Sequence, residues 1–164
     1  PLLAPLLAIG EERHASGEQV LLAYMVGVEV IIKLARAVNY HHYDKGWHPT
    51  ATLGVFGAAA AASWVLHLNS RKTATALGIA ASLASGLKAD FGTMVKPLHV
   101  GQCGRHGLLA ALLAGMSVSS HHPQPTFRCQ RAVADRPAVR ATGETGTRVA
   151  APYAITPGAP RACP

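Results

Sequence analysis

The sequence is poor in aromatic residues, in charged residues and in cysteine. Only 5% of its 164 residues are aromatic and 14% are charged, whereas 49% are hydrophobic. The apolar residues are therefore mostly Ala, Leu and Val, a mixture typical of close-packed helices and unlike an aromatic-rich β-sandwich. We predict an all-α fold, from a chain long enough for one domain.

The three cysteines, Cys103, Cys129 and Cys163, are odd in number and widely spaced. They fit neither a disulfide framework nor a Cys-x-x-Cys metal or redox pair, so we expect a reducing, cytoplasmic environment. The chain opens on Pro1 without a basic n-region, and we therefore expect no signal peptide and a chain that starts within a longer protein.

The sequence also lacks a long apolar run. The longest uncharged apolar stretch, residues 49–66, only reaches the minimum length of a membrane span, and much of it is Ala, Gly and Thr. His48 and His67 lie at its ends. We expect a buried helix here and no membrane association.

A dense basic face is missing as well, although the formal net charge is +7. Residues 1–116 hold nine Lys and Arg against six Asp and Glu, and the rest of the excess lies in residues 117–164. Binding to phosphate backbones usually needs concentrated positive charge, so we expect no nucleic-acid partner.

The composition changes abruptly near Ser117. The last 48 residues contain no Leu and no Lys but seven of the eleven prolines. We divide the chain into a partial helical domain, residues 1–116, and a low-complexity tail rich in Arg, Pro, Ala and Thr, residues 117–164. The tail is either a disordered extension or a frame-shifted translation of GC-rich DNA, and we favour the second interpretation.

Before residue 117 the pattern is helical throughout. We predict four helices, at about residues 17–38, 49–68, 71–86 and 97–115, with a loop at 39–48. Ser16 is the expected N-cap of the first helix. The polar residues of that helix fall in one narrow stripe, so its other sides are apolar and require neighbouring helices that 116 residues barely supply.

Two of these helix starts share an unusual feature. In His48-Pro49 and Lys96-Pro97 the proline suits the first helical position, which makes His48 and Lys96 the expected N-caps. A cation is unfavourable at the positive end of a helix unless an anion lies nearby. One interpretation is a pocket for a small polyanion, with substrate-binding contributions from Thr50, Thr52 and His99. The alternative, that His48 and Lys96 point into water, is favoured slightly by the residues alone.

The segment before the second helix holds three imidazoles and a carboxylate as possible metal ligands, His41, His42, His48 and Asp44. Adjacent histidines do not easily face one ion, and there is no His-Glu-x-x-His pair, so we expect no metal. We interpret His41 and His42 as surface-loop residues and Trp47 as a packing anchor. Nor do we expect Cys103 to be a nucleophile.

Three segments carry a family resemblance. Residues 46–60 are GWHPTATLGVFGAAA, residues 76–80 are ALGIA, and residues 91–101 are FGTMVKPLHVG. In content and order they resemble the MmgE/PrpD family, and the resemblance extends from about Leu2 to Met116.

The resemblance implies part of the helical domain of a cofactor-independent lyase that acts on small polycarboxylates, such as 2-methylcitrate dehydratase or cis-aconitate decarboxylase. It places His48 and Lys96 in the active site with His99 close by, and it implies a homodimer in the complete protein. Lys96 would hold a carboxylate and His48 would transfer a proton. For these two residues the resemblance outweighs the interpretation that they point into water.

The chain also departs from the family. It has no counterpart of the family's Asp/Thr/His cluster or of a later tyrosine, and Val95 stands where threonine is common. We therefore expect a fragment with little activity alone. The competing hypothesis is a non-catalytic helical module for oligomerisation or binding, with a basic tail.

Overall fold

The computed structural model describes residues 1–118. Their five α-helices are α1 (Leu3–Glu12), α2 (Gly17–Asp44), α3 (Pro49–Val65), α4 (Ser70–Leu83) and α5 (Val95–Gly115), with a short 3₁₀ helix at Lys88–Asp90. This part of the chain contains one isolated β-bridge and no strand, which confirms the all-α prediction. Apart from its first two residues, the predicted tail at residues 117–164 lies outside the described residues.

Helix α3 is the centre of the fold. Every residue from Ala51 to Ser63 is buried, and α1, α2, α4 and α5 all pack against this helix. A central helix has no solvent-facing side, which explains why its sequence lacks an amphipathic pattern and consists largely of small apolar residues.

Glycines allow the neighbouring helices to approach α3 closely. A Cβ atom at Gly27 of α2 would lie 2.8 Å from the carbonyl oxygen of Gly57. A Cβ at Gly107 of α5 would lie 2.6 Å from the carbonyl oxygen of Val55 and 2.7 Å from the backbone nitrogen of Ala59. All three distances are too short for real atoms, so α2 and α5 are packed backbone to backbone against α3.

The start of α2 confirms the sequence prediction, whereas its end does not. The Ser16 hydroxyl accepts from the Gln19 N–H at 3.2 Å, and the Gln19 side chain accepts from the Ser16 N–H, forming a capping box. The helix was expected to end near Val38, but it resumes after a kink at Asn39 (φ 49°) and continues to Asp44. The backbone of Asn39 (φ 49°, ψ −162°) is not helical, so the chain bends there, and helical geometry resumes after it.

The start of α5 corrects a second expectation. The helix begins at Val95, so Lys96 is a first-turn residue and not the N-cap. The Thr93 hydroxyl accepts from the Val95 N–H at 3.2 Å, and this contact starts the helix two residues before Pro97. Proline is tolerated there because the first-turn N–H groups lack intrahelical acceptors.

The other boundaries differ by a few residues. Helix α3 ends at Val65 and α4 covers Ser70–Leu83, with Asn69 as its N-cap. Gly115 is the last residue of α5 and not its cap. Over residues 1–118, none of the helices combines the length and hydropathy needed to cross a membrane.

Candidate active site

The candidate site lies where the α2–α3 loop meets the segment between α4 and α5. Trp47 and Leu87 form an antiparallel bridge. The His48 N–H donates to the Gly86 carbonyl at 3.0 Å, and the Lys88 N–H donates to the Gly46 carbonyl at 2.8 Å. These backbone hydrogen bonds hold the first turn of α3 against residues 86–88.

His48 is the N-cap of α3, as predicted, and only 4% of its surface is exposed. Its Nδ1 lies 3.4 Å from Nδ1 of His99, and its ring makes an edge contact with Phe91 at a centroid distance of 4.9 Å. The side chain makes no capping hydrogen bond. The interpretation that His48 points into water is therefore wrong.

The surroundings of His48 favour its neutral form. Burial lowers the pKa of His48 below its ordinary value of 6.5, and the nearby His99 and Lys96 charges lower it further. At neutral pH the imidazole is therefore uncharged, with one ring nitrogen able to accept a proton and the other able to donate one.

His99 connects His48 to a carboxylate. The His99 side chain, only 14% exposed, projects from α5, and its Nε2 lies 3.5 Å from Oδ2 of Asp90. The three side chains are thus arranged in the order Asp90, His99, His48. Both histidines were predicted from the sequence, but Asp90 was not, because it belongs to no motif and is brought close by the short 3₁₀ helix.

Lys96 lies on the solvent side of this cluster. The residue is exposed, and its Nζ lies 4.4 Å from the centroid of the Phe91 ring. The same ring contacts His48, so Phe91 touches both the ammonium group and the imidazole. The sequence analysis missed this role of Phe91, although the residue falls within one of the three family-like segments.

The structure places the two threonines differently. Thr52 is buried, and its hydroxyl donates to the His48 carbonyl at 3.1 Å and lies 2.6 Å from Nε2 of His42. These contacts engage the Thr52 hydroxyl with protein groups behind His48. Thr50 is exposed in the first turn of α3. Substrate binding by either residue stays a prediction.

His42 corrects the surface-loop interpretation. It lies in the last turns of α2, it is half-buried, and its ring stacks on Trp47 at a centroid distance of 6.0 Å. Burial lowers the pKa of His42. His41 is exposed, but it too belongs to α2 and not to a loop. His42 thus supports the first turn of α3 through Thr52, together with Trp47.

Cys103 has no sign of nucleophilic activation. It is buried, its thiol donates to the Val100 carbonyl at 3.1 Å, and burial raises its pKa. A raised pKa disfavours the thiolate, which is the reactive form. Within residues 1–118 there is no group of three His, Cys, Asp or Glu side chains placed to hold a metal ion.

Comparison with known proteins identifies the family. The model of the MmgE/PrpD N-terminal domain matches residues 1–136, extending past Met116. Human cis-aconitate decarboxylase is 38% identical over 125 residues, which are 74% of this chain and 26% of that protein.

Two further relatives give similar values. The cis-aconitate decarboxylase of Mus musculus is 38% identical over 107 residues, covering 65% of this chain and 22% of that protein. The cis-aconitate decarboxylase of Aspergillus terreus is 39% identical over 101 residues, which are 60% of this chain and 21% of that protein. This chain therefore spans about a quarter of the length of these relatives or slightly less. It belongs to the MmgE/PrpD family, and its similarity lies in that family's N-terminal domain.

Proposed function

We propose that this chain supplies part of the active site of a lyase that acts on a small polycarboxylate, and that cis-aconitate is its substrate. The single observation that carries the proposal is the buried His48, held at the start of α3 with the Lys96 cation nearby. The relatives named as cis-aconitate decarboxylases favour decarboxylation over the dehydration of 2-methylcitrate.

The electrostatics of the site suit an anionic ligand. Helices α3 and α5 both begin at this cluster, and neither N-cap residue makes a side-chain capping hydrogen bond. Helix N-termini carry partial positive charge, and the Lys96 ammonium adds a full one. A ligand with several carboxylates would be attracted to this region more strongly than a neutral one.

The residues can divide the chemistry between them. Loss of carbon dioxide breaks a carbon–carbon bond and leaves the electron pair on the remaining carbon skeleton, which must then gain a proton. Lys96 would hold a carboxylate and stabilise the negative charge that develops, and His48 would deliver the proton through its Nε2. Thr50 is a further candidate for contact with a substrate carboxylate, because it is exposed in the first turn of α3.

The proposal is tested by a chimera. The matched segment of human cis-aconitate decarboxylase is replaced by the corresponding residues of this chain, and carbon dioxide release from cis-aconitate is measured. Lys96→Ala should lower turnover by a factor of roughly 100 or more, because a charged partner of the transition state is lost. Lys33→Ala is the matched control, since Lys33 is 73% exposed in an ion pair with Glu29 on α2.

Three outcomes would contradict the proposal. These are an inactive chimera, a Lys96→Ala variant that matches the Lys33→Ala control, and activity that is abolished by a chelator. A parallel assay of 2-methylcitrate dehydration decides the reaction type. The chain alone should show little of either activity, since it covers only about a quarter of the relatives.

A second candidate function is non-catalytic association. Leu21 is 60%, Met25 59% and Ile32 47% exposed on α2, and exposed apolar surface of this kind favours a protein partner. The two candidates are compatible if the complete protein is a homodimeric enzyme. They differ in whether the His48 cluster is required, which the Lys96→Ala comparison tests.

A further inference from the structure

The arrangement of Asp90, His99 and His48 extends beyond the residues that the resemblance assigned to the site. We propose that Asp90 and His99 form a proton reservoir for His48, in which Asp90 is a positioning residue that determines which imidazole carries the extra proton. The inference rests on the proposed function for its role in turnover, whereas its test does not require turnover.

Hydrogen-bond chemistry restricts the protonation states of the three side chains Asp90, His99 and His48. Oδ2 of Asp90 lies 3.5 Å from Nε2 of His99, and a negative carboxylate at this distance favours the His99 tautomer that carries its proton on Nε2. The Nδ1 of His99 then holds a lone pair that faces Nδ1 of His48 at 3.4 Å. His48 must place its own proton on Nδ1 to donate across this contact, which leaves its Nε2 as a proton acceptor. Asp90 therefore sets the tautomers of both histidines.

The addition of one proton gives the second protonation state of these three side chains. Burial and the Lys96 ammonium disfavour positive charge on His48, whereas His99 lies beside the Asp90 carboxylate. The extra proton is thus held by His99, which becomes an imidazolium and donates from Nδ1 to His48. His48 then carries its single proton on Nε2, as a neutral donor.

Proton delivery follows from the second state without any further reactant. His48 gives its Nε2 proton to the substrate carbon, and its Nδ1 takes the Nδ1 proton of His99. Both histidines end neutral, with the Nε2–H of His99 still beside the Asp90 carboxylate. The proton gained by the product equals the one lost by the reservoir, and His48 never carries a net charge beside Lys96.

The charged and titratable groups around His48 come from three elements. Lys96 and His99 belong to α5, Asp90 to the short 3₁₀ helix, and His42 of α2 lies behind Thr52. Among them Asp90 alone is acidic. Substitution of this carboxylate should therefore have an effect that no other acidic residue of the described chain reproduces.

The test uses the 164-residue chain and long-range proton–nitrogen NMR of its imidazoles over pH 5 to 8. In the unsubstituted chain, the first proton taken up by the His48–His99 pair should appear on His99. In Asp90→Asn the pH midpoint of this uptake should fall by about one unit, because a neighbouring opposite charge is removed. The ratio of Nδ1–H to Nε2–H tautomers of His48 at high pH should fall by about fivefold.

Two control variants complete the design. Glu29→Gln removes the same charge from an exposed ion pair on α2 and should leave both readouts unchanged. Asp90→Glu retains a carboxylate and should recover most of the effect. The proposal is overturned if His48 takes up the first proton, if Asp90→Asn behaves like Glu29→Gln, or if Asp90→Glu behaves like Asp90→Asn.

The outcome is independent of the function proposed above. If the NMR readouts confirm the proton reservoir but the chimera does not act on polycarboxylates, the substrate assignment is refuted and the proton reservoir is retained. If the chimera is active but Asp90→Asn changes neither the NMR readouts nor the pH profile of turnover, the proton reservoir is refuted and the substrate assignment is retained.

Discussion

Helices α2 and α3 are both rich in apolar residues, yet the structure buries them very differently. In α3 all residues from Ala51 to Ser63 are buried, whereas α2 buries only Ala23 and Gly27 completely and exposes several large apolar side chains. Four helices of this chain surround α3, but α2 has neighbours on only part of its surface. Apolar composition therefore indicates that a helix needs neighbours, while burial depends on whether the same chain provides them.

Gly107→Ala should cause the largest loss of stability, because it tests the closest packing around α3. The new Cβ would lie 2.6 Å from the Val55 carbonyl oxygen, so α5 must move away from α3. We expect a loss of about 3 kcal/mol in the free energy of unfolding, measured by urea denaturation.

Gly101→Ala is the control for this prediction in the same helix. A Cβ at Gly101 meets no atom within 4 Å, so the substitution should be neutral or stabilising by up to about 1 kcal/mol. Equal effects at positions 101 and 107 would show that α5 is not packed closely against α3.

The second prediction extends the comparison to the first turn of α3. The pKa values of His48 and His42 are lowered in the folded chain, so the unfolded chain binds more protons as the pH falls through 6.5. Stability should therefore be greatest above pH 6.5 and decline below it. The slope should approach about 1.4 kcal/mol per pH unit for each histidine.

Urea midpoints measured from pH 7.5 to 5.5 check the pH prediction. His42→Gln should flatten part of the decline, and His41→Gln, at an exposed neighbouring position, should not. Stability that rises on acidification would contradict the burial of neutral imidazoles at this end of α3.

The smallest effect on stability is expected on the exposed side of α2. Leu21→Ser and Met25→Ser should each change the free energy of unfolding by no more than about 0.5 kcal/mol, because both side chains are about 60% exposed. Val55→Ala in α3 should cost about 2 kcal/mol, because Val55 is fully buried.

The same α2 variants should have a clear effect on association. We expect the unsubstituted chain to self-associate at micromolar concentration, and the double variant Leu21→Ser, Met25→Ser to associate less in sedimentation experiments. A compact monomer of the unsubstituted chain would show that the exposed face of α2 does not drive association.

Much of the helical fold could be predicted because its signals are local. Ser16 and Pro49 lie at the starts of the helices that they define, and the periodic apolar positions lie within them. The kink at Asn39 and the early start of α5 were not predicted, because each depends on a single residue whose effect the surrounding sequence does not reveal. Asn39 permits a bend as readily as a helix end, and Thr93 starts α5 from outside the proline pattern.

The candidate site was predicted only in part for a different reason. His48, Lys96 and His99 carry recognisable local context, and the first two stand beside prolines. Asp90 and His42 have no such context, and their roles arise from contacts between separate segments. These contacts cannot be predicted from sequence spacing, because they depend on how α2, α3 and α5 pack together.

The bridge between Trp47 and Leu87 also bears on the order in which the chain folds. The two residues of this bridge are separated by the whole of α3 and α4, so closing it carries a loop-closure entropy that the docking of those helices must offset. His48 and His99 are likewise separated along the chain by α3 and α4, so their contact carries a similar closure cost. In a refolding experiment, the histidine pair should therefore form late, with the helix packing and not before it.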